Sequence, residues 1–294
     1  MDMDFVGNRK IWFSISALII IAGMAMIAIT GLNLSIDYTG GNLLELQFSE
    51  EISSGQIRNV LKDFNLEKTP VQSSGDRQFI IRTHILTEKE SENIVQGMEK
   101  EFGEIEVLRN ENVGAVIGRE LTRNAFLALI VAFILMIAYI TYRFELNFAL
   151  ASIAALTHDV LFILAFMAFF QLEIDSSFVA VILTIVGYSI NNTIVIFDRV
   201  RENLRSPEKR KDLHLLVNES IMQTMTRSLN TSGTTSLTLL ALIFLGGATT
   251  KVFATALLVG VIVGTYSSIF IASPLWLTIR SMRSGGKELR PRKA

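Results

Sequence analysis

Three places in this chain set polar or ionisable side chains in surroundings apolar enough for hydrocarbon. His158 and Asp159 lie within LASIAALTHDVLFIL, Asn191 and Asn192 within VGYSINNTIVIFDRVREN, and Arg227 heads the hydroxyl-rich run TRSLNTSGTTSLTLL. A polar group in hydrocarbon is expensive, so each is a functional candidate by default. Asp159 sits near the centre of its segment, where an unpaired ionised carboxylate is costly; it must be neutral, paired or facing water. A proton-linked role and a structural hydrogen bond to a neighbouring helix both fit Asp159, and the structural one is slightly favoured.

Helical spacing relates the other groups. Asn191 shares a face with Gly187 and Val195, and Asn192 lies one turn beyond Tyr188. Asp198 is about 9 Å further along the helix than Asn192, at about 1.5 Å per residue. Asn192 is therefore expected inside the membrane on its cytoplasmic half, while Asp198, Arg199 and Arg201 reach the interface, where anchoring is the favoured reading. Arg227, Asn230, Thr231, Thr234 and Thr238 recur at three and four residues and form one polar stripe. Such stripes often only join helices, through hydrogen bonds of about 0.6 to 2 kcal/mol each. The arginine at its head is predicted to enter at the depth of Asn192 with its guanidinium facing that helix. Gly260, Gly264 and Ser268 follow small-residue spacing and point to close helix packing, and Gly187 of the fourth span is expected to serve packing as well.

The elements that carry these residues follow from composition. Of 294 residues, 50% are hydrophobic, and the mean hydropathy is +0.43. Six stretches are long enough to cross a bilayer, which takes about 20 helical residues: 11–32, 121–142, 148–170, 176–197, 229–246 and 252–279. The first is read as an uncleaved anchor. Arg9, Lys10 and Arg143, the basic residues that follow the fourth span (Arg199, Arg201, Arg205, Lys209, Arg210, Lys211), and the tail residues Arg280, Arg283, Lys287, Arg290, Arg292 and Lys293 all fall on one side of a six-span chain. The positive-inside rule then puts both termini in the cytoplasm. The expected division is 1–32, an extracytoplasmic domain at 33–119, spans two to six at 120–279 with a cytoplasmic loop at 198–228, and a basic tail at 280–294.

The extracytoplasmic block alternates between the two periodicities. NLLELQFS reads as a strand, SSGQIRNVLKDF as a helix with a serine N-cap, KTPVQS as a short strand and RQFIIRTH as another. TEKESENIVQGMEKEFG follows as a helix with Thr87 and Glu90 spaced as a capping box, and EIEVLRNENV closes as a strand. The order βαββαβ is the ferredoxin-like arrangement. His84 stands alone in it and is read as a surface residue. The chain has no cysteine, which excludes disulfides and thiolate metal sites. No metal motif, nucleophile elbow or phosphate loop is present, so neither an enzyme nor a cofactor or nucleic-acid binder is expected.

Several separated motifs, in order, resemble the SecF family of protein-export membrane subunits, relatives of the RND transporters: GLNLSIDYTGGNLLEL, THDV, IVGYSINNTIVIFDRVREN, TRSLNTSGTTSLTLLALIFLGG and FATALLVGVIVGTYSSIFIASPL. The resemblance implies six membrane helices of RND type with one extracytoplasmic α+β domain, in the inner membrane of a prokaryote. It implies action with SecD on the SecYEG channel, with SecA and YajC as further candidate partners, to promote late-stage translocation of a polypeptide with the proton gradient. It marks Asp37, Gly40 and Gly41 as a hinge motif of the extracytoplasmic domain, and it assigns proton passage to an aspartate of the fourth span and an arginine of the fifth.

The arginine corresponds to Arg227. The aspartate corresponds to Asn192, because the family's N-D-T reads N-N-T here. An amide has no proton to exchange near neutral pH. Three readings stay open: a replacement that mimics the protonated state, a different coupling ion, or a proton site supplied by SecD with a contribution from Asp159. A deliberate or natural loss at this one position is favoured. The rival functions are a passive scaffold joining SecD to the channel and an RND-type small-molecule exporter, the latter disfavoured by the small extracytoplasmic insert.

Overall fold

A computed structural model describes residues 4–67, 69–75, 77–207 and 212–283. Lys209, Arg210 and Lys211, and the tail residues Lys287, Arg290, Arg292 and Lys293, lie outside these described residues. The chain divides into a helical unit and a sheet unit, the latter built from 34–126 with 174–176.

The first helix, α1, is Arg9–Thr30 and belongs to the helical unit; the sheet unit then takes α2 Ile36–Thr39, β1 Gly41–Phe48, α3 Ser54–Lys62, β2 Val71–Gly75, β3 Gln78–Thr83, α4 Glu88–Phe102 and β4 Ile105–Val113. From β1 onward this is the expected βαββαβ order. The four strands form one antiparallel sheet in the order β2-β3-β1-β4, as the ferredoxin-like arrangement requires. Both helices start where local chemistry sets them: Ser53 with Gln56, and Thr87 with Glu90, form reciprocal capping boxes that satisfy the first free N–H groups.

Strand alternation sorts β1 between two faces. Leu44, Leu46 and Phe48 join Ile57 and Leu61 of α3, Phe79 and Ile81 of β3, and Ile94 and Met98 of α4 in one core. Leu43 turns the other way and packs with Ile36, Ile80 and Val113. On that second face the buried Glu45 lies 3.8 Å from Arg109 and accepts from Ser74 Oγ at 3.3 Å. His84 is exposed just beyond β3.

The remaining helices are α5 Ala115–Arg143, α6 Leu146–Phe169, α7 Ser177–Asn203, α8 Leu213–Leu245, α9 Ala248–Ser267 and α10 Ser273–Arg283, with a π-helical turn, Ser268–Ala272, joining the last two. Among the described residues, six helical stretches are long and apolar enough to cross a membrane: Arg9–Thr30, Val116–Arg143, Leu146–Phe169, Ser177–Asn203, Leu213–Leu245 and Thr250–Arg283. One expectation changes. The 198–228 stretch is not a loop, because α7 continues to Asn203 and α8 begins at Leu213. Helical pairing of Asn203 with Ser220 and Gln223 across the two helices holds this extension, and Asp212 caps α8 by accepting from the Leu215 N–H. The π turn sits just before Pro274, which has no N–H to donate into a regular α-helical ladder.

The junction into β1 depends on backbone that only glycine adopts easily. Gly40 caps α2 with φ +71°. Gly41 has φ +130°, and a Cβ there would lie 2.4 Å from the Thr83 carbonyl oxygen. The Asp37 carboxylate accepts from the Ser176 N–H at 2.8 Å, and the Tyr38 hydroxyl donates to the Asp175 carbonyl at 3.0 Å. Burial first, then the nearby Asp175 and Asp37 carboxylates, push Tyr38 up from 10.0 to about 12.

Two outcomes follow for the whole chain in detergent. Gly41→Ala should destabilise the sheet unit by about 1 to 3 kcal/mol, read as faster hydrogen exchange at the β1 amides, and unchanged exchange would contradict the close approach to Thr83. Because the raised pKa favours the neutral phenol in the fold, the contribution of Tyr38 is intact below pH 10.0 and is lost as pH rises through about 12. Absorbance titration should show a tyrosine with a pKa of about 12, and Tyr38→Phe should lose it.

Candidate functional site

Asp159 is the centre of the polar interior of the helical unit. Among the described residues it and His158 are the only titratable side chains buried in that unit, at 0% and 8% exposure. One carboxylate oxygen lies 3.0 Å from His158 Nδ1. The other accepts from Ser189 Oγ of α7 at 2.5 Å and from Ser267 Oγ of α9 at 2.8 Å. Three helices thus meet at one carboxylate. His158 Nε2 is buried without a partner among the described residues, and its ring neighbours Phe162 and Tyr266, at centroid distances of 6.0 and 6.2 Å.

This meeting is possible because α9 presents glycine to α7. A Cβ on Gly264 would lie 2.9 Å from Ser189 Cβ, and one on Gly260 would lie 2.1 Å from Ile185 Cδ1. The packing expected of Gly260 and Gly264 is therefore present. Gly187 is a correction: nothing lies within 4 Å of a Cβ built there. It shares the exposed face of α7 with Asn191, while Ser189, Asn192, Thr193 and Ile196 form the buried face.

Asn192 is 3% exposed. Its Nδ2 donates to Thr265 Oγ1 of α9 at 3.4 Å. Thr265 Oγ1 donates to the Val261 carbonyl at 2.8 Å. A hydroxyl has one proton, so Ser232 of α8 must donate to Thr265, at 2.5 Å, and Tyr188 donates to Ser232 at 3.2 Å. A directed chain results: Tyr188 to Ser232 to Thr265 to backbone. One residue along α7, Thr193 Oγ1 and Ser268 Oγ are 2.8 Å apart at the start of the π turn. Asn192 accordingly stands beside Asp159's site as an amide donor. Asn191 is exposed.

Arg227 is placed differently from expectation. It is exposed, and its guanidinium makes no hydrogen bond or ion pair among the described residues. The buried line of α8 is Ser220, Thr224, Ser228 and Ser232, and the stripe of Arg227, Asn230, Thr231, Thr234 and Thr238 is exposed. The threonines of that stripe donate to carbonyls of their own helix: Thr231 to Arg227, Thr234 to Thr231 and Thr238 to Thr234. They need no partner helix to be satisfied, and so they did not turn the stripe inward.

Asp198, Arg199 and Arg201 tie the end of α7 to its neighbours. Arg199 donates to Gln223 of α8 at 2.5 Å and to Glu202 at 2.6 Å. Arg143 lies 4.0 Å from Asp198, and Arg201 donates to the Arg143 carbonyl at 3.2 Å. Sequence reasoning missed Ser189, Thr193, Ser232, Thr265 and Ser267. The signal available was their spacing with residues already singled out: Ser189 is three before Asn192, and Ser267 is three beyond Gly264. Serine and threonine are common enough in membrane helices for that spacing to carry little weight alone.

Comparison with known proteins decides the family. The family described as Protein export membrane protein SecD/SecF, C-terminal, matches residues 92–282, and the SecD/SecF GG Motif matches residues 25–52. The chain belongs to the SecD/SecF family. The protein translocase subunit SecF of Sebaldella termitidis is 41% identical over 98% of this chain and 95% of its own length. That of Acidaminococcus fermentans is 43% identical over 94% and 97%. The protein translocase subunit SecDF of Bacillus subtilis is 37% identical over 98% of this chain, which spans 39% of that longer protein. The crystal structure of SecDF, a translocon-associated membrane protein, from Thermus thermophilus matches with a TM-score of 0.87 at 34% identity, over 96% of this chain and 39% of that one. The SecF relatives are translocase subunits, and protein export is the role that goes with the family. The GG Motif match covers Asp37, Gly40 and Gly41.

If the carboxylate organises this site, its hydroxyl donors act through it. Ser189→Ala and Ser267→Ala should each lower stability by about 1 kcal/mol, measured as thermal unfolding in detergent. Either substitution should have little effect in an Asp159→Leu background, and equal losses in both backgrounds would contradict the arrangement.

Proposed function

We propose that this chain is a multi-pass subunit of the cytoplasmic membrane, with both termini cytoplasmic, that acts with SecD on the SecYEG channel to promote late-stage polypeptide translocation at the expense of the proton gradient. The observation that carries the coupling part is the Asp159 carboxylate held by hydroxyls of α7 and α9. In this reading Asp159 does the ionising that Asn192 cannot. Gain or loss of its proton changes what Ser189 and Ser267 must donate to, and so changes the favoured packing of three spans. Movement of one charge through the potential supplies about 2.3 kcal/mol per 100 mV, which biases a two-state equilibrium about fifty-fold without fixing it.

Arg227 enters this proposal as a contact to SecD. An exposed guanidinium on a membrane helix is expensive unless a partner or the interface receives it. The SecDF relatives, in which a chain like this one is part of a longer protein, support SecD as the partner that covers the Arg227 face. Asp37, Gly40 and Gly41 are proposed as the point where the sheet domain yields during the cycle.

Export into vesicles that carry SecYEG, SecD and this subunit tests the reading. Asp159→Asn should leave SecD bound and remove the stimulation of export by the proton gradient. Arg227→Ala should weaken SecD association. Unchanged gradient-dependent export in Asp159→Asn would remove Asp159 from the mechanism. Intact export in both variants, with the subunit still required, would leave the passive scaffold.

A further inference from the structure

At one end of the helical unit the turn between α5 and α6, the end of α7 and α10 border an open polar cavity of about 500 Å³. Four arginines line it: Arg143, Arg201, Arg205 and Arg280. Among the described residues Glu145 is the one carboxylate in the lining, and Asp198 lies 4.0 Å from Arg143. Even with Arg280 set aside, three guanidinium groups stand against two carboxylates among the described residues, so the cavity keeps an excess of positive charge.

Aromatic rings hold the guanidinium planes in place. Arg143 and Arg201 lie over the Phe144 ring, at 5.9 and 6.0 Å from its centroid, and Arg280 lies 5.3 Å from the Trp276 centroid. Arg201 is further fixed by its bond to the Arg143 carbonyl. Planar forks held in position match the oxygens of a phosphate better than mobile lysines do.

The surroundings of the cavity are apolar on one side. Leu135, Tyr139 and Tyr142 share one face of α5 and are 63%, 54% and 93% exposed. They lead from the cavity along a membrane-spanning helix. A free phosphate has no use for such a track, whereas acyl chains do. Basic pockets between spanning helices are a known physical form of lipid headgroup site.

We propose that this cavity binds the phosphate-bearing headgroup of an anionic phospholipid, with its acyl chains along the Leu135, Tyr139 and Tyr142 face of α5. The site is separate from Asp159 and does not depend on the coupling reading. Native mass spectrometry of the purified full chain in detergent, with equal phosphatidylglycerol and phosphatidylcholine, provides the test. The wild type should retain phosphatidylglycerol preferentially. Arg201→Gln and Arg205→Gln should each weaken that retention about fivefold, while Arg199→Gln, at the same helix end but outside the cavity lining, should not. Equal retention of the two lipids, or equal weakening by Arg199→Gln, would overturn the site. Displacement of phosphatidylglycerol by millimolar inorganic phosphate would reassign it to a free anion.

Discussion

A carboxylate buried among membrane-spanning helices must have its oxygens satisfied, and this constraint organises the helical unit. Asp159 has no access to solvent, so its partners come from the helices around it: Ser189 on α7, Ser267 on α9 and His158 beside it. For those hydroxyls to reach, α7 and α9 must approach closely, and Gly260 and Gly264 supply the space. The π turn immediately after Ser267 then carries the sixth span past Pro274. Packing, backbone irregularity and polar pairing are consequences of one another here.

Asn192 belongs to a neighbouring network of different chemistry. Its amide donates to Thr265, which also accepts from Ser232 and donates to the Val261 carbonyl. Every member of that chain is neutral and directed, which suits a fixed contact among α7, α8 and α9. The Asp159 cluster is the part of the interior that contains a group able to change charge. Ser189, which donates to Asp159, and Asn192 lie one turn apart on α7, so the ionisable centre and the neutral network share one packed surface.

The sheet unit was legible in the sequence because its signals are local. Alternation in NLLELQFS, capping at Ser53 and Thr87 and the turn residues all act within a few positions of the backbone they shape, and the βαββαβ order restricts how strands can pair. The helical spans were equally legible from length and hydropathy, and Asp159 from its isolation in an apolar run. Rotation of a span about its axis was not. Arg227 and its threonines looked like an inward stripe, but those hydroxyls bond to their own helix, and the buried line of α8 is the quieter series Ser220, Thr224, Ser228 and Ser232. Gly187 shows the same limit, since a small residue permits close packing without requiring it.

The central claim is that Asp159 is the group in the membrane that exchanges a proton when the gradient changes. Infrared difference spectroscopy of the subunit with SecD in sealed vesicles addresses it directly. The account predicts a carboxyl stretching band that responds to an imposed proton gradient and disappears in Asp159→Asn. A gradient response with the same carboxyl band in Asp159→Asn would contradict it.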